Sequence, residues 1–140
     1  MTSHRLFAMF IIMPILLALM VQPCSGQEEA AVMPALAIEN AIICKDIVDL
    51  EPVGSGDVFS ADIKKLMCFT RVVGAAEETQ IHHNWYFGET MVASIPLRVG
   101  SSNWRTYSSK TILPEHAGEW KVEIVSADGQ LLKKIYFILE

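Results

Sequence analysis

Ser108, Ser109 and Lys110 are where this chain places a hydroxyl nucleophile beside an amine. A serine-lysine hydrolase holds its pair three residues apart on one helical face, but Tyr107 occupies that offset from Lys110. The flanking pattern is extended, and neither a glycine-framed nucleophile elbow nor an oxyanion motif accompanies the serines. The paired acids Glu28-Glu29 and Glu77-Glu78 fall in a tether and a turn, where solvated charge is expected. No catalytic residue is assigned, and the chain is read as a non-enzyme. A small hydrolase-like enzyme or metal-binding envelope protein is the alternative.

His82, His83 and His116, with Met91 as a soft donor, raise a copper or zinc site. Neighbouring residues of a strand point to opposite faces, so His82 and His83 cannot chelate together from an extended segment. No further ligand follows at a diagnostic interval. Neither metal nor other cofactor is therefore expected. His83, between Ile81 and Trp85, reads as a core imidazole that must find hydrogen-bond partners, because an unpaired one costs stability.

The stretch Trp104-Arg105-Thr106-Tyr107-Ser108-Ser109-Lys110 carries recognition chemistry. Arginine presents a planar fork to carboxylate or phosphate, and aromatic faces stack on apolar faces of ligands. Trp104, Arg105, Tyr107, Ser109 and Lys110 are the ligand-binding candidates here, joined by His83, Trp85 and Tyr86 of the preceding aromatic segment. Strand geometry divides the set: Arg105, Tyr107 and Ser109 share one face, and Trp104, Thr106, Ser108 and Lys110 the other. A folding role stands beside the binding one. In it, Trp104 caps the core, Arg105 pairs with a carboxylate across strands and the serines satisfy loop backbone.

Elements must position these groups, and the N-terminus is set aside first. His4 and Arg5 precede an apolar run from Leu6 to Val21 that ends in Cys24-Ser25-Gly26. This reads as a secretory signal cleaved before Gln27; acylation at Cys24 and retention as a membrane anchor are the alternatives. All three place the remainder outside the cytoplasm, periplasmic or secreted, touching membrane only through this N-terminal segment. Residues 1–26 are thus signal or anchor, 27–35 a tether and 36–140 one domain. Past the signal the chain keeps all 16 acidic residues and loses only Arg5 of its 11 basic ones, a formal charge of −6. An acidic chain with scattered cations gains no counterion-release affinity, so nucleic acid is excluded as a partner. An envelope protein or a cell-wall glycan is the expected one.

The domain alternates with period two between regular turn signals, which predicts seven strands. Leu36, Ile38, Ile42 and Cys44 share one parity of the first, and the second runs from Lys65 to Val73. The third spans Thr79 to Phe87, and the fourth buries Met91, Ala93, Ile95, Leu97 and Val99. Trp104 to Ile112 is the polar fifth. Trp120, Val122 and Ile124 line the sixth, and Ile135, Phe137 and Leu139 the seventh. Asp49 to Ser60 reads as the longest loop. The fold class is all-β: an antiparallel, immunoglobulin-like sandwich.

Cys44 and Cys68 both lie on apolar parities of their strands, in an oxidising compartment. A disulfide between them is expected, worth roughly 3 kcal/mol in the chain-entropy model. Two buried thiols are the alternative.

Cys68-Phe69-Thr70, His83-x-Trp85-Tyr86-x-Gly88, Trp104-Arg105-Thr106-x-Ser108-Ser109-Lys110 and Gly118-x-Trp120-x-Val122 together carry a family signature. From about residue 42 to 139 the chain resembles the bacterial domain of unknown function 2914. That resemblance implies a single extracytoplasmic domain and brings no activity with it.

Overall fold

The computed structural model describes residues 35–140. The expected signal or anchor, the choice between cleavage and acylation at Cys24, and nearly all of the tether lie outside the described residues.

Among the described residues ten strands follow in chain order: β1 (Ala37–Cys44), β2 (Asp46–Val48), β3 (Glu51–Val53), β4 (Val58–Phe59), β5 (Lys65–Val73), β6 (Thr79–Phe87), β7 (Thr90–Val99), β8 (Asn103–Thr111), β9 (Gly118–Ser126) and β10 (Leu131–Leu139). A 3-10 turn, Pro114–His116, precedes β9. One sheet has the order β1-β5-β8, the other β4-β10-β9-β6-β7, and β2-β3 is a separate hairpin. The seven long strands are those expected from alternation. Three short ones occupy what reads as loop between Asp49 and Ser60 and just before it, and β4 joins β10 in parallel. Numbered among the seven, the first, second and fifth strands make one sheet, and the fourth pairs with the third. A constant-type immunoglobulin domain pairs that fourth strand with the fifth instead.

Alternation explains the core. On β6, Ile81, His83 and Trp85 are fully buried while their neighbours stay partly exposed, and Trp120, Val122 and Ile124 repeat the pattern on β9. Phe137 stacks on Trp120 with ring centroids 5.6 Å apart and meets Trp85 edge-on at 6.1 Å. Such pairs contribute about 1 kcal/mol beyond their buried area.

Two bulges reverse expected parities. In β7 the register slips so that Trp85 faces Ala93 but Tyr86 faces Met91, skipping Val92. Val92 then packs on the core and Met91 is left exposed, contrary to the inward position expected for it. In β1 the slip falls between Ile38 and Asn40. Beyond it Ala41 and Ile43 take the inner face, while Ile42 and Cys44 turn outward to join Met67, Phe69 and Ile47 in a second small cluster. The inserted residue of a bulge shifts every later side chain to the other face.

That shift removes the expected disulfide. Both cysteines are free thiols. Cys44 lies opposite Met67 and Cys68 opposite Ile43, so the two sulfurs occupy opposite faces of one sheet. Both strands have apolar parity at these positions because this sheet is covered on both sides, by the main core and by the β2-β3 hairpin carrying Ile47. Burial raises the Cys44 thiol pKa and pushes that of Cys68 up to about 12.

Candidate functional site

The inner face of β8 carries a polar cluster between the sheets. Ser108 on β8 and Thr70 on β5 project from one sheet, and His83 and Trp85 on β6 project from the other. All four are buried. His83 Nδ1 lies 2.7 Å from Ser108 Oγ, His83 Nε2 lies 2.9 Å from Thr70 Oγ1, and Trp85 Nε1 donates to Ser108 Oγ at 3.1 Å. A neutral imidazole offers one donor and one acceptor, and two rotatable hydroxyls complement either tautomer. A protonated ring would need acceptors on both sides, inside a medium that solvates it poorly. Desolvation accordingly lowers the His83 pKa to about 4. The expectation of a hydrogen-bonded core histidine holds. Ser108 beside a histidine has the composition of a nucleophile and its base, but no substrate reaches a pair sealed between two sheets.

The other end of the inner face is closed by Trp104, half-buried against the core. Arg98 lies over its ring, 5.4 Å from the centroid. Gly100 lets that ring approach the backbone, since a Cβ there would come within 2.9 Å of it. Lys110, the last inner-parity residue of the motif, donates from Nζ to the Thr111 carbonyl at 2.9 Å.

The outer face of the same strand is open. Arg105, Tyr107 and Ser109 are exposed, with Tyr107 at 41%. Arg71 of β5 stands directly across from Arg105, and Phe69 across from Tyr107. Like charges opposite one another destabilise a sheet, and each guanidinium is accordingly held by its own carboxylate. Arg71 Nε lies 2.8 Å from Glu39, the bulge residue of β1, and Arg105 pairs with Glu51 of β3. Arg71 Nε also donates to Asn103 Oδ1 at 3.1 Å. Between these groups and the tip of the β2-β3 hairpin runs a groove of about 470 Å³, lined by Leu50, Arg71, Asn103, Trp104 and Arg105.

The expected binding residues therefore divide. Arg105, Tyr107 and Ser109 gather on one exposed surface, while Trp104 turns its ring to the core side of the strand. His83 and Trp85 are fully buried and cannot touch a ligand; alternation along β6 turns them into the core, correcting their place among the candidates. Tyr86 lies on the outer face of the other sheet, with the Lys121 ammonium 4.7 Å from its ring centroid, and belongs to no common site with Arg105. Leu50, Arg71 and Asn103 escaped sequence reading. No alternation marks Arg71 as facing the fifth strand, and Asp49-Leu50 lacks the glycine that would announce a hairpin.

Among the described residues no group of three or more histidine, cysteine or acidic side chains converges as a metal site. What the geometry defines is a β-sandwich with a polar clamp at its centre and an arginine-lined groove on one outer face. The family model described as a protein of unknown function, DUF2914, matches residues 78–138, which spans β6 through β10. The resemblance read from the motifs holds across that stretch; Cys68-Phe69-Thr70 lies before it. No curated protein matches the chain.

Proposed function

We propose that this domain is a non-enzymatic binding module of the bacterial envelope, exported by its N-terminal segment, that recognises an envelope protein or cell-wall glycan on the outer face of the β1-β5-β8 sheet. The observation that carries this reading is the exposure of Arg105 and Tyr107, side by side on β8, next to a groove lined by Leu50 and Arg71. An aromatic beside a cation on a rigid strand loses little entropy on binding and serves both stacking and charge recognition. Catalysis lacks comparable support, because the candidate nucleophile Ser108 is sealed in the core.

Co-sedimentation with purified cell-wall sacculi tests the proposal, using sacculi with attached protein and sacculi stripped by protease. The protein should sediment with at least one preparation, and the Arg105→Ala/Tyr107→Ala variant should lose about tenfold in affinity while losing no more than about 1 kcal/mol of stability. Absence of sedimentation with both, or sedimentation indifferent to the double substitution, would refute the proposal.

A further inference from the structure

The β2-β3 turn is built against its own backbone preference. Val48 pairs with Glu51, leaving Asp49 and Leu50 as a two-residue loop, and both have positive φ, 52° and 58°. That is the left-handed pair of a type I′ turn, where asparagine or aspartate followed by glycine is the favoured sequence. Aspartate is present at the first position, but the second holds a leucine, 49% exposed, in a conformation that L side chains resist. Nothing in the main core repays this, since Leu50 packs with neither buried cluster. Its side chain instead forms one wall of the groove.

The facing wall presents donors. Arg71 commits its Nε to Glu39 and Asn103, and Arg105 its NH1 to Glu51, leaving further guanidinium N–H groups of both arginines uncommitted. Asn103 turns its oxygen to Arg71, so its amide nitrogen remains a donor. Glu39 and Glu51 are 51% and 61% exposed. Ion pairs so open to solvent are weak enough to yield to, or share with, an incoming anion.

Resting on the binding-module reading, we infer that this groove takes the free carboxylate end of a peptide: the carboxylate is held by Arg71, Arg105 and Asn103, and the terminal apolar side chain lies against Leu50. The volume suits one or two residues. Arginine forks match a carboxylate in two-point, charge-assisted geometry, whereas the corresponding amide brings no charge for them to pair. Leu50 is the strained element that supplies the apolar side.

The test is a titration of the 15N-labelled protein followed by NMR, with N-acetyl-leucine as probe and N-acetyl-leucinamide and inorganic phosphate as controls. N-acetyl-leucine should give saturable shifts at Leu50, Arg71, Asn103, Trp104 and Arg105, at roughly millimolar Kd for so small a ligand. The amide, which lacks the charge, and phosphate, which lacks the side chain that meets Leu50, should each bind at least about tenfold more weakly, as should the acid to an Arg71→Met/Arg105→Met variant. Leu50→Gly restores the favoured Asp-Gly turn, so it should keep or raise the melting temperature while weakening the acid. No saturable shift, equal binding of the amide or of phosphate, or unaltered affinity in Leu50→Gly overturns the inference. Groove binding without sacculus binding would sink the module reading alone. Sacculus binding that is lost in Arg105→Ala/Tyr107→Ala, without a response to the acid, would sink the carboxylate site alone.

Discussion

His83 shows how one buried side chain ties pH to stability. Its pKa falls from the ordinary 6.5 to about 4 because burial disfavours the imidazolium. The unfolded chain therefore binds the proton more readily than the folded one between those values. The resulting stabilisation is complete above pH 6.5 and is lost as pH falls towards 4, on the order of 3 kcal/mol over that window. Urea midpoints measured from pH 7 to pH 4 should show this slope, and His83→Gln should flatten it. Ring 15N shifts should report a neutral His83 throughout most of that range. The cysteines give a second test at this scale. Thiolate is the reactive form, and both thiols have raised pKa values in buried sites. In residues 27–140, Cys44 and Cys68 should resist a thiol reagent at neutral pH in the native state and both react in denaturant without reductant. A disulfide would leave both silent in denaturant.

At the scale of the element, β8 does two jobs by parity. Its inner residues Trp104 and Ser108 serve the core, and its outer residues Arg105, Tyr107 and Ser109 face solvent. Sequence reading already saw this division, because a period of two needs no tertiary knowledge. It did not see the bulges. One extra residue at Glu39 and another at Val92 leave the composition of their strands unchanged, yet they reverse the facing of Cys44 and Met91. The β2-β3 hairpin was illegible for a different reason. Its turn uses leucine where the local signal is glycine, so a segment of defined structure read as loop. Tyr107→Ser should leave stability within about 0.5 kcal/mol of the parent, since the residue is exposed and outside both buried clusters. Chemical denaturation checks this.

For the whole molecule, the notable feature is how the two sheets are tied. Immunoglobulin domains place a cysteine pair and a tryptophan between the sheets. Here Trp85 stands on the third long strand and Cys68 on the second, but the sixth turns Trp120, Val122 and Ile124 inward, so no cysteine meets Cys68. The Thr70-His83-Ser108-Trp85 cluster spans the sheets instead, joining β5 and β8 to β6. Sequence motifs that lie far apart in the chain, His-x-Trp and the serine of Trp-Arg-Thr-x-Ser-Ser-Lys, are thus one structural unit. The fold class was legible because seven strands of alternating character admit few other packings. The clamp was legible only in half, as a histidine in need of partners, since pairing β6 with particular residues of β5 and β8 depends on how the sheets stack.

The Trp104–Lys110 motif folds the protein with its inner face and, on the proposed reading, leaves its outer face for a ligand. Urea unfolding of Ser108→Ala beside Arg105→Ala tests this most directly. Ser108→Ala strands Trp85 Nε1 and one nitrogen of His83 in the core, and should cost about 3 kcal/mol. Arg105→Ala removes an exposed ion pair and should cost no more than about 1 kcal/mol. A neutral Ser108→Ala, or an Arg105→Ala as damaging as it, would contradict the division of labour.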